Sequence, residues 1–466
     1  MNAKRVLTAV LVAVGLCACS GEKAWLEKSH ASISLYEQGR TVEALAPGQA
    51  ALDIALKRFG EHDVRTVYSL DHVGKIHFRL GMIEKAEPFF ERTVRLNKEL
   101  LERDDPKAAY YLGNLAELRA AQGRFDEAEE LYGSALSLYR RAYGEFRVPT
   151  AAVQARMAFL YTRWGLHERA EALFRRVDAI QQRLTESDPA TDAIVSAGKC
   201  EIFTAHGRID EALEPCERAL RPAPGPAQPG EPEAAEALSA RGLLYLKKGH
   251  LPEAEKDLGE AVGYYTANPA VDAYGRLGAL ANLGELMAAQ GKAEQAKETF
   301  TKVLARVDNS YAAIKLLIRA GGVYSRLGEL DTAEELFKSA MTKHEDSPHA
   351  DRSDREAILA ALVDLRVSRR DYATAEKLLE AAWADSGEFS GPNHGALCEA
   401  LYRLSRAEIA RGERKKGRQL AERLDWLSYS NFGPRDTARK ASLVRLAELY
   451  EALGDQTKAG QYRART

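Results

Sequence analysis

The sequence predicts an all-α fold, a right-handed solenoid of about eleven stacked helical hairpins, from three periodic observations. A glycine recurs every 42 residues at Gly39, Gly81, Gly123, Gly165, Gly207, Gly249 and Gly291. It returns at Gly328 after a step of 37, then continues through Arg370, which replaces it, to Gly412 and Gly454. Five residues after each comes a small residue: Ala44, Ala86, Ala128, Ala170, Ala212, Ala254, Ala296, Ala333, Ala375, Gly417 and Ala459. Nine residues after, several repeats carry an aromatic: Phe90, Tyr132, Phe174, Phe300 and Phe337.

Each repeat reads as helix A, a glycine turn and helix B. In helix A, Leu112, Leu115, Ala116 and Leu118 recur at three and four, the spacing of one helical face. A second small position lies seven before the glycine, at Ala116, Ala158, Cys200, Gly242, Gly284, Gly321 and Ala447. The glycine reads as a left-handed C-cap. The acid three residues beyond it (Glu84, Asp126, Glu168, Asp210, Glu294, Asp331) suits helix B either as N-cap or against the dipole. The small positions let the paired helices approach. The aromatic is expected to point out of its hairpin and wedge against the next, so the units must stack.

The skeleton of Gly123 to Tyr132, repeated from about Lys23 to the C-terminus, resembles the tetratricopeptide repeat (TPR) family. The 42-residue period, against about 34 in the common form, is similar to the kinesin-light-chain-like subtype. So are the Phe59-Gly-Glu-His-Asp-Val-Arg-Thr66 connection and the Leu-Gly-Asn-Leu-Ala run ending at Ala116. The resemblance implies a non-enzymatic scaffold that binds polypeptide in a concave groove lined by helix A.

Residues 1–18 read as a signal peptide: two positive charges by Arg5, then a largely apolar run from Val6 to Leu16. Leu16-Cys17-Ala18-Cys19 resembles a bacterial lipobox, which implies cleavage after Ala18 and acylation of Cys19. Several acyl chains on one cysteine anchor durably, and Ser20 in place of Asp tilts the address toward the outer membrane, facing the periplasm. Residues 19–22 are then a short tether. Trp25 lies so near it that it either enters the headgroup region or covers the open end of the first hairpin.

Repeats one to five span 23–220, a proline-rich connection 221–232, and repeats six to eleven 233–466 with a polar C-terminal cap. Pro47, Pro88 and Pro215 fall near the first turns of helix B. Cys200 and Cys216 hold the small and aromatic positions of repeat five. Two separate buried thiols is the favoured reading and a disulfide the alternative. The short step before Gly328 is expected to trim the connection near Asp308. Arg370 stands where left-handed geometry favours glycine. The basic run Arg414 to Arg418 reads as a solvated helix face.

With 66 Lys and Arg against 68 Asp and Glu, the chain is no broad nucleic-acid or polybasic membrane binder. Gly412 to Gly417 has phosphate-loop spacing, but Arg418-Gln419 follows where Lys-Ser/Thr is needed. His167-Glu168 lacks a second zinc histidine, and no Gly-x-Ser-x-Gly elbow occurs. His344 and His349 flank a loop that reads as hydrated. No enzyme activity, metal or cofactor is expected.

In the TPR family the groove is lined thirteen, ten, six and three residues before the glycine. Here those positions give Tyr68, Asp71, Lys75 and Phe78 in repeat two, Tyr110 and Glu117 in repeat three, Phe159 in repeat four, and Tyr402 and Arg406 in repeat ten. Aromatics mixed with charges suit an extended peptide or partner helix. Contact with a neighbouring repeat is the competing reading for Tyr68 and Phe78. The lysine and asparagine clamp of chaperone-binding TPR proteins has no counterpart. Two functions follow: a lipid-anchored scaffold of the bacterial cell envelope, or a recognition subunit for a glycan, peptidoglycan or secreted substrate.

Overall fold

A computed structural model describes residues 20–100, 105–184, 188–205, 208–221, 232–267, 273–306, 311–347, 352–385, 395–431 and 437–466. The leader, Cys19, Gly207, His349 and residues 222–231 of the proline-rich connection lie outside them. Among the described residues every regular element is an α-helix, and there are 22. They pair as eleven hairpins. The first five are α1 (Ser20–Glu37) with α2 (Thr41–Arg58), α3 (Val64–Arg79) with α4 (Ile83–Leu100), α5 (Pro106–Ala121) with α6 (Phe125–Tyr143), α7 (Val148–Trp164) with α8 (His167–Gln181), and α9 (Pro189–Ala205) with α10 (Ile209–Ala219). Then come α11 (Pro232–Lys248) with α12 (Leu251–Ala267), α13 (Ala273–Ala289) with α14 (Ala293–Leu304), and α15 (Tyr311–Arg326) with α16 (Leu330–Asp346). The last three are α17 (Arg352–Ser368) with α18 (Tyr372–Asp385), α19 (Gly395–Ala410) with α20 (Arg414–Asn431), and α21 (Thr437–Ala452) with α22 (Gln456–Arg463).

The chain divides into two compact units. One is drawn from Met1–Cys200, Pro215–Ser239 and Gly259–Arg276, the other from Glu201–Glu214, Ala240–Leu258 and Leu277–Thr466. In the first, α1 to α8 pack each on the next in chain order, and α3 also touches α5. In the second, α15 to α22 do the same, and the first helices of adjacent hairpins, α15, α17, α19 and α21, touch in sequence. This nearest-neighbour packing is what makes a repeat core linear.

The glycines turn the chain as expected. Gly39, Gly81, Gly123, Gly165, Gly249, Gly291, Gly328, Gly412 and Gly454 all have φ between 71° and 89°. Arg370 adopts the same left-handed turn at φ 61°, the one non-glycine with positive φ among the described residues. Its Cβ crowds the following carbonyl, so Arg370→Gly is expected to raise stability by about 1 kcal/mol. Denaturant unfolding of the two chains checks this; a loss of stability would mean the Arg370 side chain holds more than its backbone costs.

Helix B starts two residues past the glycine, so the acids fall inside its first turn. Arg124, Leu166, Lys292 and Glu329 sit at N-cap without side-chain capping bonds. Asp126, Glu168, Glu294 and Asp331 therefore act on the helix dipole, not as caps. Pro47, Pro88 and Pro215 lie well inside α2, α4 and α10, deeper than the first turns. Helix B is short at this step, with 12 residues in α14 against 17 in α12; Asp308, where the connection is expected to be trimmed, lies outside the described residues. The Arg414–Arg418 run is bound to its neighbours: Arg414 donates to the Leu453 carbonyl, Lys416 pairs with Glu376 and Arg418 with Asp455.

The alanines five past the glycine are fully buried from Ala44 to Ala459. The aromatic position has two sides. Its ring lies over the small residue of its own helix A and also wedges against the next hairpin, where a Cβ built on Gly198 of α9 would run into Phe174 of α8. A Cβ built on Gly74 would stand 3.0 Å from Phe90, on Gly284 2.7 Å from Phe300, and on Gly321 2.5 Å from Phe337. In hairpin six Leu258 takes the same place, 2.6 Å from a Cβ on Gly242. The next hairpin then closes over the ring, as Leu115 and Leu118 close over Phe90. A bare backbone gives a flat ring the largest contact it can reach without losing close packing.

Candidate functional site

The side chains singled out on helix A fall into two classes. Tyr68 and Asp71 are only 7% and 3% exposed, so they do not line a surface. Tyr68 stacks on His72 of its own helix, with centroids 6.4 Å apart, and meets Trp25 edge-on. Asp71 accepts a hydrogen bond from Asn114 Nδ2 at 2.7 Å, tying α3 to α5. For Tyr68 the contact is with a neighbouring repeat.

Lys75, Phe78, Tyr110, Glu117 and Phe159 are half-buried and share one face of α3, α5 and α7. Lys75 Nζ donates to the Tyr110 hydroxyl at 2.8 Å and sits 5.7 Å from the ring centre of Tyr36 and 5.5 Å from that of Tyr110. Arg79 also lies over Tyr36, 4.7 Å from the ring centre. Phe78 meets Phe90 edge-on, Glu117 pairs with Arg156, and Phe159 abuts Gly198 of α9, 3.4 Å from a Cβ built there.

Burial sets the electrostatics. It pushes the Asp71 carboxyl up to about 6, against the nearby Lys75 and the Asn114 bond. It pulls His72 down to about 3, with Lys75 adding to the effect, so the imidazole is neutral at pH 7 and binds Ser32 Oγ at 2.9 Å. Burial also opposes the Lys75 charge, yet Tyr110, Tyr36 and Asp71 hold its pKa above the ordinary lysine value. Lys75 is thus a fixed cation between two tyrosine faces.

In the second unit Tyr402 donates to Glu448, while Arg406 is exposed beside it. Glu399 pairs with Arg403 at 2.8 Å and with Arg445. These residues form a row of paired charges, more polar than the face on α3, α5 and α7.

Several participants went unnoticed in the sequence. Tyr36 sits three before Gly39, so extending the same count to repeat one finds it. Arg119, 4% exposed, grips Glu87 and Glu91 of α4 and Gln122 of its own hairpin; no periodic signal marks it. Trp25 is 1% exposed, donates from Nε1 to Ser69 Oγ at 2.9 Å and meets Phe59 edge-on, so it is not available to lipid headgroups. Cys200 and Cys216 are joined as a disulfide, against the favoured reading of two separate thiols, with Cα atoms 4.7 Å apart. Cys398 is a buried thiol, its pKa pushed up to about 12 by burial.

Among the described residues no three His, Cys, Asp or Glu side chains converge in a way that would hold a metal. No described helix is long and apolar enough to cross a membrane.

Models of the tetratricopeptide repeat match residues 66–107, 107–183 and 279–310. The protein kinesin light chain-related 3 of Arabidopsis thaliana is 22% identical over 308 residues, covering 65% of this chain and 47% of that protein. Kinesin light chain-related 1 of the same plant is 23% identical over 311 residues, covering 66% and 51%. The chain thus spans about half the length of the curated relatives it matches. Among solved structures, a Rap protein complexed with Competence and Sporulation Factor aligns at a TM-score of 0.53 and 14% identity, covering 77% of this chain and 96% of that one, a likeness of fold. The matched repeats fall on the same glycine register that the helices obey: the chain carries tetratricopeptide repeats and is similar to the kinesin light chain-related proteins.

Proposed function

We propose that the chain is a lipid-anchored, non-catalytic scaffold of the bacterial cell envelope that holds a polypeptide partner against the first helices of hairpins two to four. One observation carries the binding reading: Lys75, Phe78, Tyr110, Glu117 and Phe159 stand half-buried on one face of three consecutive hairpins. First helices about 10 Å apart would each meet about three residues of an extended chain at 3.3 Å per residue. Rings supply apolar area with little side-chain entropy to lose, and the fixed Lys75 cation sets register. The Rap protein's complex with its factor agrees with ligand capture on this type of fold.

The address rests on the leader: a basic start, an apolar run and Leu16-Cys17-Ala18-Cys19. The disulfide fits an oxidising compartment. Acylated Cys19 would hold the scaffold at the outer membrane, facing the periplasm.

Co-purification from detergent-solubilised envelopes tests both parts. Wild type should capture a defined protein that the Lys75→Glu, Phe159→Ala chain loses at least tenfold. Cys19→Ser should lose the acyl mass and leave the membrane fraction. Capture unchanged by the double substitution, or binding to isolated cell-wall fragments instead, would overturn the groove. Unchanged mass and location in Cys19→Ser would overturn the anchor.

A further inference from the structure

Hairpin five departs from the seat shared by its neighbours. Counted from Gly207, Cys200 stands seven before and Cys216 nine after. These are the positions of Gly321 and Phe337 in hairpin eight, and of Gly284 and Phe300 in hairpin seven. Where those hairpins set a ring on a bare backbone, hairpin five sets sulfur on sulfur. Both cysteines are fully buried and bonded to each other. Cys200 Sγ also lies 3.9 Å from the Ala237 carbonyl of α11, so the bond is covered by the next hairpin as Phe90 is. The second helix is short here: α10 has 11 residues, against 15 in α8 and 17 in α12, and carries Pro215 beside the cysteine.

We propose that the Cys200–Cys216 disulfide is a redox-sensitive staple that replaces the packed ring, so that hairpin five closes only when oxidised. In the reducing step a dithiol reaches the covered bond during a local opening of hairpin five and attacks it. The dithiol's two S–H bonds and the cystine S–S bond become the dithiol's own disulfide and two cysteine thiols, with two electrons and two protons passing to the protein. Two thiols fill less space than a phenyl ring and hold nothing covalently, so α10 loosens from α9. The remaining described cysteine, Cys398, is buried far along the chain in α19 and takes no part. This inference stands apart from the identity of the partner.

Hydrogen exchange of the full chain with and without a dithiol is the test, read on peptides from α9 and α10. Reduction should lower protection there roughly a hundredfold, the change a 3 kcal/mol loop constraint implies, and leave α15 and α16 unchanged. Cys200→Ser with Cys216→Ser should show the fast exchange under both conditions. Cys200→Gly with Cys216→Phe restores a ring on a bare backbone and should exchange slowly under both. Equal exchange of the wild type with and without dithiol would overturn the proposal, and so would two free thiols found by alkylation without reductant in chain made in an oxidising compartment. The wild-type comparison decides the matter even where a double variant fails to fold.

Discussion

Phe337→Ala is expected to cost about 3–5 kcal/mol, the range for deleting a fully buried ring. The ring is 1% exposed and lies on Gly321, where an added Cβ would come within 2.5 Å of it. Gly321→Ala, the reciprocal change, should cost about 1–3 kcal/mol by overpacking. The two together should cost less than their sum, because the methyl clashes only while the ring is present. Hydrogen exchange on α15 and α16 reads the effect locally, which matters because repeat arrays need not unfold in one step. Strict additivity would show that ring and glycine are independent, and the seat described above would be wrong.

Trp25→Ala should be as damaging, about 3–5 kcal/mol, and confined to α1, α2 and α3. The indole joins Ile33, Ala51, Ala55 and Tyr68 in one buried cluster and reaches Ser69 with its N–H. Trp25→Phe keeps most of the apolar contact and should cost far less. Both are measured on chain free of lipid. A Trp25→Ala chain that exchanged like wild type would mean that the indole does not hold the first two hairpins together.

The backbone plan was legible because it repeats: a left-handed turn needs glycine, and Gly39 to Gly454 announce it. Arg370 keeps that geometry without the residue, since the nine glycine turns described and the packing around it fix where the chain must reverse. What the register could not show is that the ring has two seats: the bare backbone of its own first helix, at Gly74, Gly284 and Gly321, and the next hairpin, as Phe174 meets Gly198.

The candidate site was legible by position and not by exposure. Tyr68, Asp71, Lys75 and Phe78 share one helical face, yet the first two sink while the last two stay half-open, because Trp25 and Asn114 arrive from other hairpins to cover them. Such arrivals depend on side chains 43 residues away, as with Asn114 and Asp71, beyond the reach of any local window. Arg119 was missed for the same reason: its carboxylate partners at Glu87 and Glu91 belong to the preceding hairpin.

Because each ring is matched to the residue beneath it, the heritable letter of this fold is a couple and not a single amino acid. A lineage that enlarges one member while keeping the other passes through a less stable intermediate, so successful changes should arrive as matched swaps. Leucine against Gly242 and cysteine against Cys200 are two such swaps already written into one chain. Related sequences should therefore show these two columns changing in step while the columns around them drift alone.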